Sequence, residues 1–450
     1  MPFRTSIRAR TGAYKGYLLA VLLVIQAFNY VDGLALGLVL QDIKVSLHLT
    51  DTELGFLTGI AFALFYSVMG IPLARWADRG DRAKIIALTT ALWSVAVALC
   101  GNARTFLQLL LMRVGVAVGE SGCVPPANSL IADYFARAER PRALGIYMLG
   151  APLSALIGYF VAGWLNEFYG WRLMFVLLSL PGVILSVLAW TTLREPRRQV
   201  KQVLEDSQSF PTQPSARTVI GTLSRNLTFR HLLLSYAVTC FFGYGIQQWQ
   251  PAFFVRSYGM DTGTLGGWFA LVYGGGGIVG SYLGGMLASR YLADNETLQL
   301  KLMGVANASF GVLAACIYLS SNKSFALAML GLAAIGGAAT SGPLFACIQS
   351  LVPSQMRATA TAVLYLFANL IGLGFGPLLA GALSDSLRPI FGSESLRFTL
   401  LALCPGYCWG GWHLWRASRS VARDLSEVSS DFGDGDDPMH SRKAAIAAPV

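Results

Sequence analysis

Apolar residues do not alternate with polar ones along this chain. They run together in long blocks divided by short polar loops. Twelve blocks can be marked, at about 17–40, 53–75, 83–101, 105–130, 142–165, 171–193, 231–255, 263–289, 297–320, 324–350, 358–383 and 396–416. A helix of about 20 residues, rising 1.5 Å per residue, is long enough for the ~30 Å hydrocarbon core of a bilayer. The pattern therefore predicts an all-α membrane protein with twelve transmembrane helices. The first block follows a basic stretch (Arg4, Arg8, Arg10, Lys15). It is too long for a signal-peptide core and ends in Gln41-Asp42 without a small-residue cleavage site, so it reads as a retained span.

Between blocks six and seven lies a polar segment rich in charge, Ser, Gln and Pro, from Arg194 to about Asn226. It reads as a linker between two six-helix halves. The layout expected is an N-terminal segment 1–16, a first bundle 17–193, a linker 194–230, a second bundle 231–416 and a tail 417–450. That tail turns acidic and small (DFGDGDD, then AAIAAPV), a composition that reads as disordered.

Composition agrees with the blocks: 54% hydrophobic, 13% charged, mean hydropathy +0.54. A net charge of +10 raises the question of nucleic acid, but the cations collect in alternate loops and form no basic face. One set of loops keeps only Lys44, Arg104, Arg172, Arg256, Lys323, Arg388 and Arg397. The positive-inside rule then puts both termini in the cytoplasm of a cell (inner) membrane protein. The seven cysteines sit in or at the ends of apolar blocks without CxxC spacing, and the four histidines lie near ends or in tails. Small packing residues are the reading for the cysteines, and neither set forms a metal site.

The halves echo each other. GIPLARWADRGDR (70–82) returns as GGMLASRY (284–291), RPRALG (140–145) as RATATA (357–362), and GYFVAGWL (158–165) as GPLLAGAL (376–383). Asp78 to Ser289, Arg142 to Arg357 and Gly158 to Gly376 give offsets of 211, 215 and 218 residues. Such a duplication belongs to transporters that rock two pseudo-symmetric bundles about a midplane site.

Charge deep inside the blocks is confined to Asp32, Arg113 and Glu120. Ionisable groups at that depth are costly and mark pathways or partners. Arg113 and Glu120 are two turns apart on one helix face, and Gly115, Gly119 and Gly122 thin the helix around them before Pro125-Pro126 disturbs it. That helix is expected to line something wet. Counting from the block ends puts Asp32 and Arg113 at similar depth and Glu120 roughly 10 Å further in. Arg113 is expected to pair with Asp32 in one state and turn toward Glu120 in the other. Burial favours a neutral acid and a nearby guanidinium favours a charged one, so moving the arginine would move a proton. Glu120 is the first candidate for the proton site and Asp32 the second. The alternative is a static ion network that fixes helix packing.

At these residues the chain resembles the major facilitator superfamily. The Gly70, Asp78, Arg79, Arg82 pattern is similar to that superfamily's loop signature between its second and third helices. The resemblance implies that Asp78 and the arginines help latch the cytoplasmic ends of the halves, with Ser289 standing where the second copy should carry the acid. Within the superfamily the chain resembles the Spinster-like family, in the style of a bacterial member. The stretches that carry this are FNYVDGLALGLVLQDI (28–43), RVGVAVGESGCVPPANSLIADYF (113–135), GYGIQQWQPAFFVRSYGM (243–260) and ESLRFTLL (394–401). The resemblance implies lipid export, as of lysophospholipids and sphingosine-1-phosphate in animals, and matches Asp32, Arg113 and Glu120 to family charges. One departure is Asp32-Gly33, where the family often has Asp-Arg.

The repeat places Gln247 opposite Asp32. Substrate-cavity candidates are Asn29, Tyr244, Gln247, Gln248, Trp249, Asn307, Thr340, Tyr365 and Asn369, with Trp249 as a wall for an acyl chain. Each polar one has helix–helix hydrogen bonding as its plainer reading. The glycine-rich runs 273–285 and 370–381 serve close packing, a hinge, or both. The function expected is a secondary transporter, proton-coupled and working by alternating access, for an amphiphilic or organic solute. It needs no cofactor beyond the proton gradient and works as a monomer among membrane lipids. The alternatives are a drug or small-metabolite/proton antiporter and, remotely, a polytopic lipid-modifying enzyme. For the enzyme no nucleophile, metal or phosphate-cradling motif is present.

Overall fold

A computed structural model describes residues 2–136, 139–196, 221, 223–292, 295–352 and 356–432, without the side chains of 2–12, 78, 141, 357–359 and 427–432. The described chain is helical and contains no strand. Among the described residues, nine helical stretches are long and apolar enough to cross a bilayer. Two of them, Arg142–Thr192 and Ala360–Ala417, hold two crossings each. A further helix, Leu227–Tyr258, is long enough but diluted by Arg230, His231 and its glutamines. The crossings are α1 (Ala13–Leu38), α2 (Asp51–Ala77), α3 (Arg82–Cys100), α4 (Phe106–Tyr134), α5 and α6 (before and after Gly170), α7 (Leu227–Tyr258), α8 (Thr262–Tyr291), α9 (Glu296–Leu319), α10 (Lys323–Ser350), and α11 and α12 (before and after Gly392–Glu394). Gly170 can make the α5–α6 turn because its φ of 74° is one that side chains with a Cβ rarely adopt.

α4 breaks where its sequence says it should. Its first piece ends at Ser121, and its second, Val124–Tyr134, starts with Pro125 and Pro126 in the opening turn, where a missing N–H costs little. Its glycine face, however, is dry. A Cβ on Gly119 would sit 2.6 Å from the Trp93 backbone nitrogen, and one on Gly122 would meet Thr89 at 2.5 Å. The expectation of a wetted helix fails on this face, because the glycines let α4 lie directly on α3. Overpacking such a contact costs about 1–3 kcal/mol. Gly119→Val is therefore expected to lower the unfolding temperature in detergent, whereas Gly33→Ala, with open space around it, leaves it unchanged.

The first six helices meet the last six along two seams, α2 with α11 and α5 with α8, with α1 touching α7. Both seams lie toward the end of the molecule marked by Asp51. Toward the other end, where α6 leads into the linker, Arg140–Met148, Arg357–Phe367 and Gly276–Tyr291 pack within their own halves. The molecule is closed at the Asp51 end and parted at the linker end.

The tail departs from expectation. Val421–Phe432 is a helix (α13) docked on the start of α7, where Asp424 Oδ2 accepts from the Thr228 N–H at 2.9 Å and Thr228 and Ser420 share a 2.6 Å hydrogen bond. The disorder expected from 417 onward fails here because Asp424 satisfies one of the free N–H groups that open α7. Residues 433–450 lie outside the described residues, as does most of the linker. Burial opposes the charge on Asp424, but Thr228 and Arg423 hold its carboxyl below the usual carboxylate range. The docking is thus expected at neutral pH and lost as pH falls through the acid range. Limited proteolysis of the tail at pH 7 and at about pH 2, below the carboxylate range, would show it, with faster cleavage at the lower pH.

Candidate functional site

The three mid-span charges come together. Arg113 Nη1 donates to Asp32 Oδ2 at 2.5 Å, tying α4 to α1, and its guanidinium lies 5.0 Å from the Phe62 ring centre on α2. Glu120 sits beside this pair, with Asp32 and Arg113 the charged groups that act on it. Asp32 Oδ1, Arg113 Nε, Glu120 Oε1 and both amide atoms of Asn29 are buried without a hydrogen-bond partner among the described residues. With both acids ionised the cluster would be one charge negative, and a single proton neutralises it.

The cluster is not open to water in this state, contrary to the wet lining expected. Asp32, Arg113 and Glu120 are only 2%, 3% and 4% exposed. Tyr30, 41% exposed, and Tyr66 stand within electrostatic reach of Glu120. Gln26 is fixed by Tyr147 at 2.6 Å. These four residues escaped the reading of the sequence, where tyrosines in apolar blocks look like interface or core.

Of the second-half candidates, Tyr244, Gln247, Asn307 and Thr340 line one cavity of about 410 Å³ enclosed by α7, α8, α9, α10 and α12. Its wall mixes hydroxyls and amides with Phe310, Leu330 and Leu344. Asn307 also bonds Thr239 at 2.9 Å, and Thr340 bonds back to its own helix at Gly337. Gln250, on the same wall, accepts from Tyr273 and donates to Tyr318 at 3.0 Å. The remaining candidates stand elsewhere. Gln248 lies against Gly37 of α1. Trp249 is fully buried and donates to the Pro377 carbonyl at 2.9 Å, so it packs helices rather than walling a chain. Tyr365 stacks on Phe345, with ring centres 5.4 Å apart, and Asn369 falls in a widened turn, Ala368–Leu373.

At the linker end the loop signature is partly legible. Gly70 has open space around it and Arg79 is exposed, while the Asp78 side chain lies outside the described residues. Arg82 is fully buried. It reaches Asp133 at 2.7 Å, Ser129 at 2.9 Å and Glu195, which accepts from its Nε at 3.0 Å. None of these partners belongs to the second bundle, so in this state Arg82 ties α3 to α4 and to the start of the linker just after α6.

The comparisons agree with this fold. The Major Facilitator Superfamily model matches residues 22–377. An MFS-type efflux pump of Mycolicibacterium smegmatis is 32% identical over 421 residues, covering 90% of this chain and 93% of its own. Protein spinster homolog 1 of Homo sapiens is 28% identical over 437 residues, covering 90% and 81%. The crystal structure of a bacterial homolog of the human lysosomal transporter Spinster, inward-facing and unoccupied, superposes with a TM-score of 0.82 at 30% identity, covering 91% of this chain and 98% of that one. The same homolog, inward-facing and occupied, gives 0.78 at 28%. With twelve helices in two pseudo-symmetric bundles and no enzyme among these relatives, the chain belongs to the Major Facilitator Superfamily as a Spinster-like transporter.

Proposed function

We propose that the chain is a proton-coupled, alternating-access transporter of an amphiphilic, lipid-like or organic solute, with Glu120 as the main proton site. The observation that carries this reading is the Arg113–Asp32 pair at 2.5 Å with a second buried acid beside it. One arginine between two acids decides which acid stays charged when it moves. By the positive-inside rule the linker end is cytoplasmic in a cell membrane, so the state described is inward-open. The 410 Å³ cavity in the second half suits the apolar part of a single-chain amphiphile, with its polar head toward the charged first half. No cofactor enters this scheme. The proton gradient supplies the energy, and a single chain among membrane lipids suffices.

A second reading, a drug or small-metabolite/proton antiporter, is favoured by the net negative cluster and by the name of the mycobacterial relative. Reconstitution in liposomes under an imposed pH gradient separates the two. Movement of a fluorescent lysolipid supports the first, and exchange of a lipophilic cation for protons supports the second. Movement of either that ignores the gradient would overturn proton coupling.

A further inference from the structure

The closed end of the molecule is built from one clasp written twice. On the α2–α11 seam, Asp385 Oδ1 accepts from the Asp51 N–H at 3.1 Å, and its Oδ2 accepts from the Thr52 N–H at 2.7 Å and the Thr52 hydroxyl at 2.6 Å. On the α5–α8 seam, Glu167 Oε2 accepts from the Thr262 hydroxyl at 3.2 Å and the Gly263 N–H at 3.4 Å. The repeat offsets relate these contacts residue by residue. Adding 211 carries Asp51 and Thr52 to Thr262 and Gly263, and adding 218 carries Glu167 to Asp385.

The helix surfaces behind the carboxylates repeat as well. A Cβ on Gly55 would meet the Pro377 carbonyl at 2.5 Å, and one on Gly266 the Tyr159 carbonyl at 2.4 Å. A Cβ on Gly381 would meet the Asp51 carbonyl at 2.2 Å, and one on Gly163 the Thr262 carbonyl at 2.5 Å. Gly55 and Gly163 carry to Gly266 and Gly381 by the same two offsets. Backbone therefore lies on backbone along both seams. The four helices are also irregular at matched positions: α2 breaks at Gly59 and α8 has a widened turn at Ala270–Gly275, while α5 breaks at Leu149 and α11 has one at Ala368–Leu373. Such interruptions are common where helices bend in function.

The two copies are not equally strong. Only the α2 copy carries a buried ion cluster. Asp51 receives Arg256 of α7 through two bonds at 2.7 and 2.8 Å, Lys44 at 2.5 Å and the Ser384 hydroxyl at 2.7 Å. Arg256 Nε in turn donates to Gln41 at 2.6 Å. The α8 copy has Thr262 where Asp51 stands, so among the described residues it holds no ion pair. Its added contact is neutral on one side: Asn166 bridges Asp42 at 2.6 Å and Thr262 at 2.9 Å.

We infer that these repeat-related clasps are the gate of the closed end, that Asp51–Arg256–Asp385 is its lock, and that the α5–α8 copy is the weaker seam. Opening this end requires both carboxylates to leave the helix starts they hold, and the locked seam sets how often that happens.

Hydrogen–deuterium exchange on the full chain in nanodiscs tests this without substrate or gradient, so it stands apart from the transport reading. Asp385→Ala is expected to speed exchange at 51–56 by about 10- to 100-fold, the range for losing hydrogen bonds to a charged group. Exchange at 262–266 should rise with it, and the linker ends of α5 and α10 should become more protected as they close. Glu167→Ala, removing a long and partly exposed contact, is expected to change exchange by no more than about fivefold. If Asp385→Ala does not fold, Ser384→Ala removes one bond to Asp51 and is expected to move the same segments in the same directions, less far. Faster exchange confined to 51–52 would make Asp385 a mere helix cap and overturn the gate. Equal effects from Glu167→Ala and Asp385→Ala would overturn the lock.

Discussion

Glu120→Gln is expected to abolish transport driven by a pH gradient while leaving a folded protein that still exchanges solute down its own gradient. Glutamine keeps the size of the side chain and its hydrogen-bonding capacity but has no proton to give. With both acids ionised the wild-type cluster holds one more negative charge than positive, and proton uptake balances it where the three groups are 2–4% exposed. In the variant Arg113 and Asp32 balance each other permanently, so the two states interconvert without taking up or releasing a proton at 120. Loss of a positioned proton-transfer group typically costs about 100-fold or more, and the same order is expected here for gradient-driven uptake in liposomes. Counterflow without a pH gradient should stay within a few-fold of wild type. Gradient-driven uptake at the wild-type rate would remove Glu120 from the proton path.

What the sequence made legible was depth and periodicity. The Asp32–Arg113 contact follows from counting residues inward from two block ends, because helices in a bilayer share a fixed rise and a fixed thickness. The break in α4 follows from Pro125-Pro126. The duplication follows from three short echoes, and its offsets locate the clasp residues, although acids at block ends such as Asp51, Glu167 and Asp385 look like ordinary loop charge. The signal was available: DTELG (51–55) returns as TGTLG (262–266), and an acid stands at 167 and again at 385.

Other features were hidden for physical reasons. Arg82 finds Glu195 and Asp133 across three chain segments, a contact that no local spacing encodes. Trp249 in a run of glutamines looks like a ligand wall, yet its indole N–H needs an acceptor when buried, and the Pro377 carbonyl across the helix contact supplies one. The dry glycine face of α4 was misread because small residues serve lining and packing equally well, and only the position of Trp93 decides between them. α13 was lost in an acidic tail, although Val421 and Leu425 are spaced one turn apart. The docking depends on Asp424 capping α7, which lies nearly 200 residues upstream.

Arg113→Ala is expected to be the most destabilising single change in the site, by about 3–5 kcal/mol, the range for breaking a buried pair by removing one partner. The substitution leaves Asp32 and Glu120 as two like acids in a nearly dry pocket with no cation, and it removes the guanidinium from the face of Phe62. Arg113→Lys keeps the charge but not the planar fork, and should fall between the two. The decisive variant is Arg113→Ala with Asp32→Asn, which removes both ends of the pair. Much of the lost stability should return, because a neutral amide costs far less to bury than an unpaired carboxylate. Thermal unfolding in detergent, followed through tryptophan fluorescence, measures all four proteins. Transport by the double variant then separates the two roles of the pair. A stable protein without gradient-driven transport means the arginine works by moving between acids. A stable double variant that still couples solute to protons would make the pair a brace between α1 and α4, and leave Glu120 to bind its proton alone.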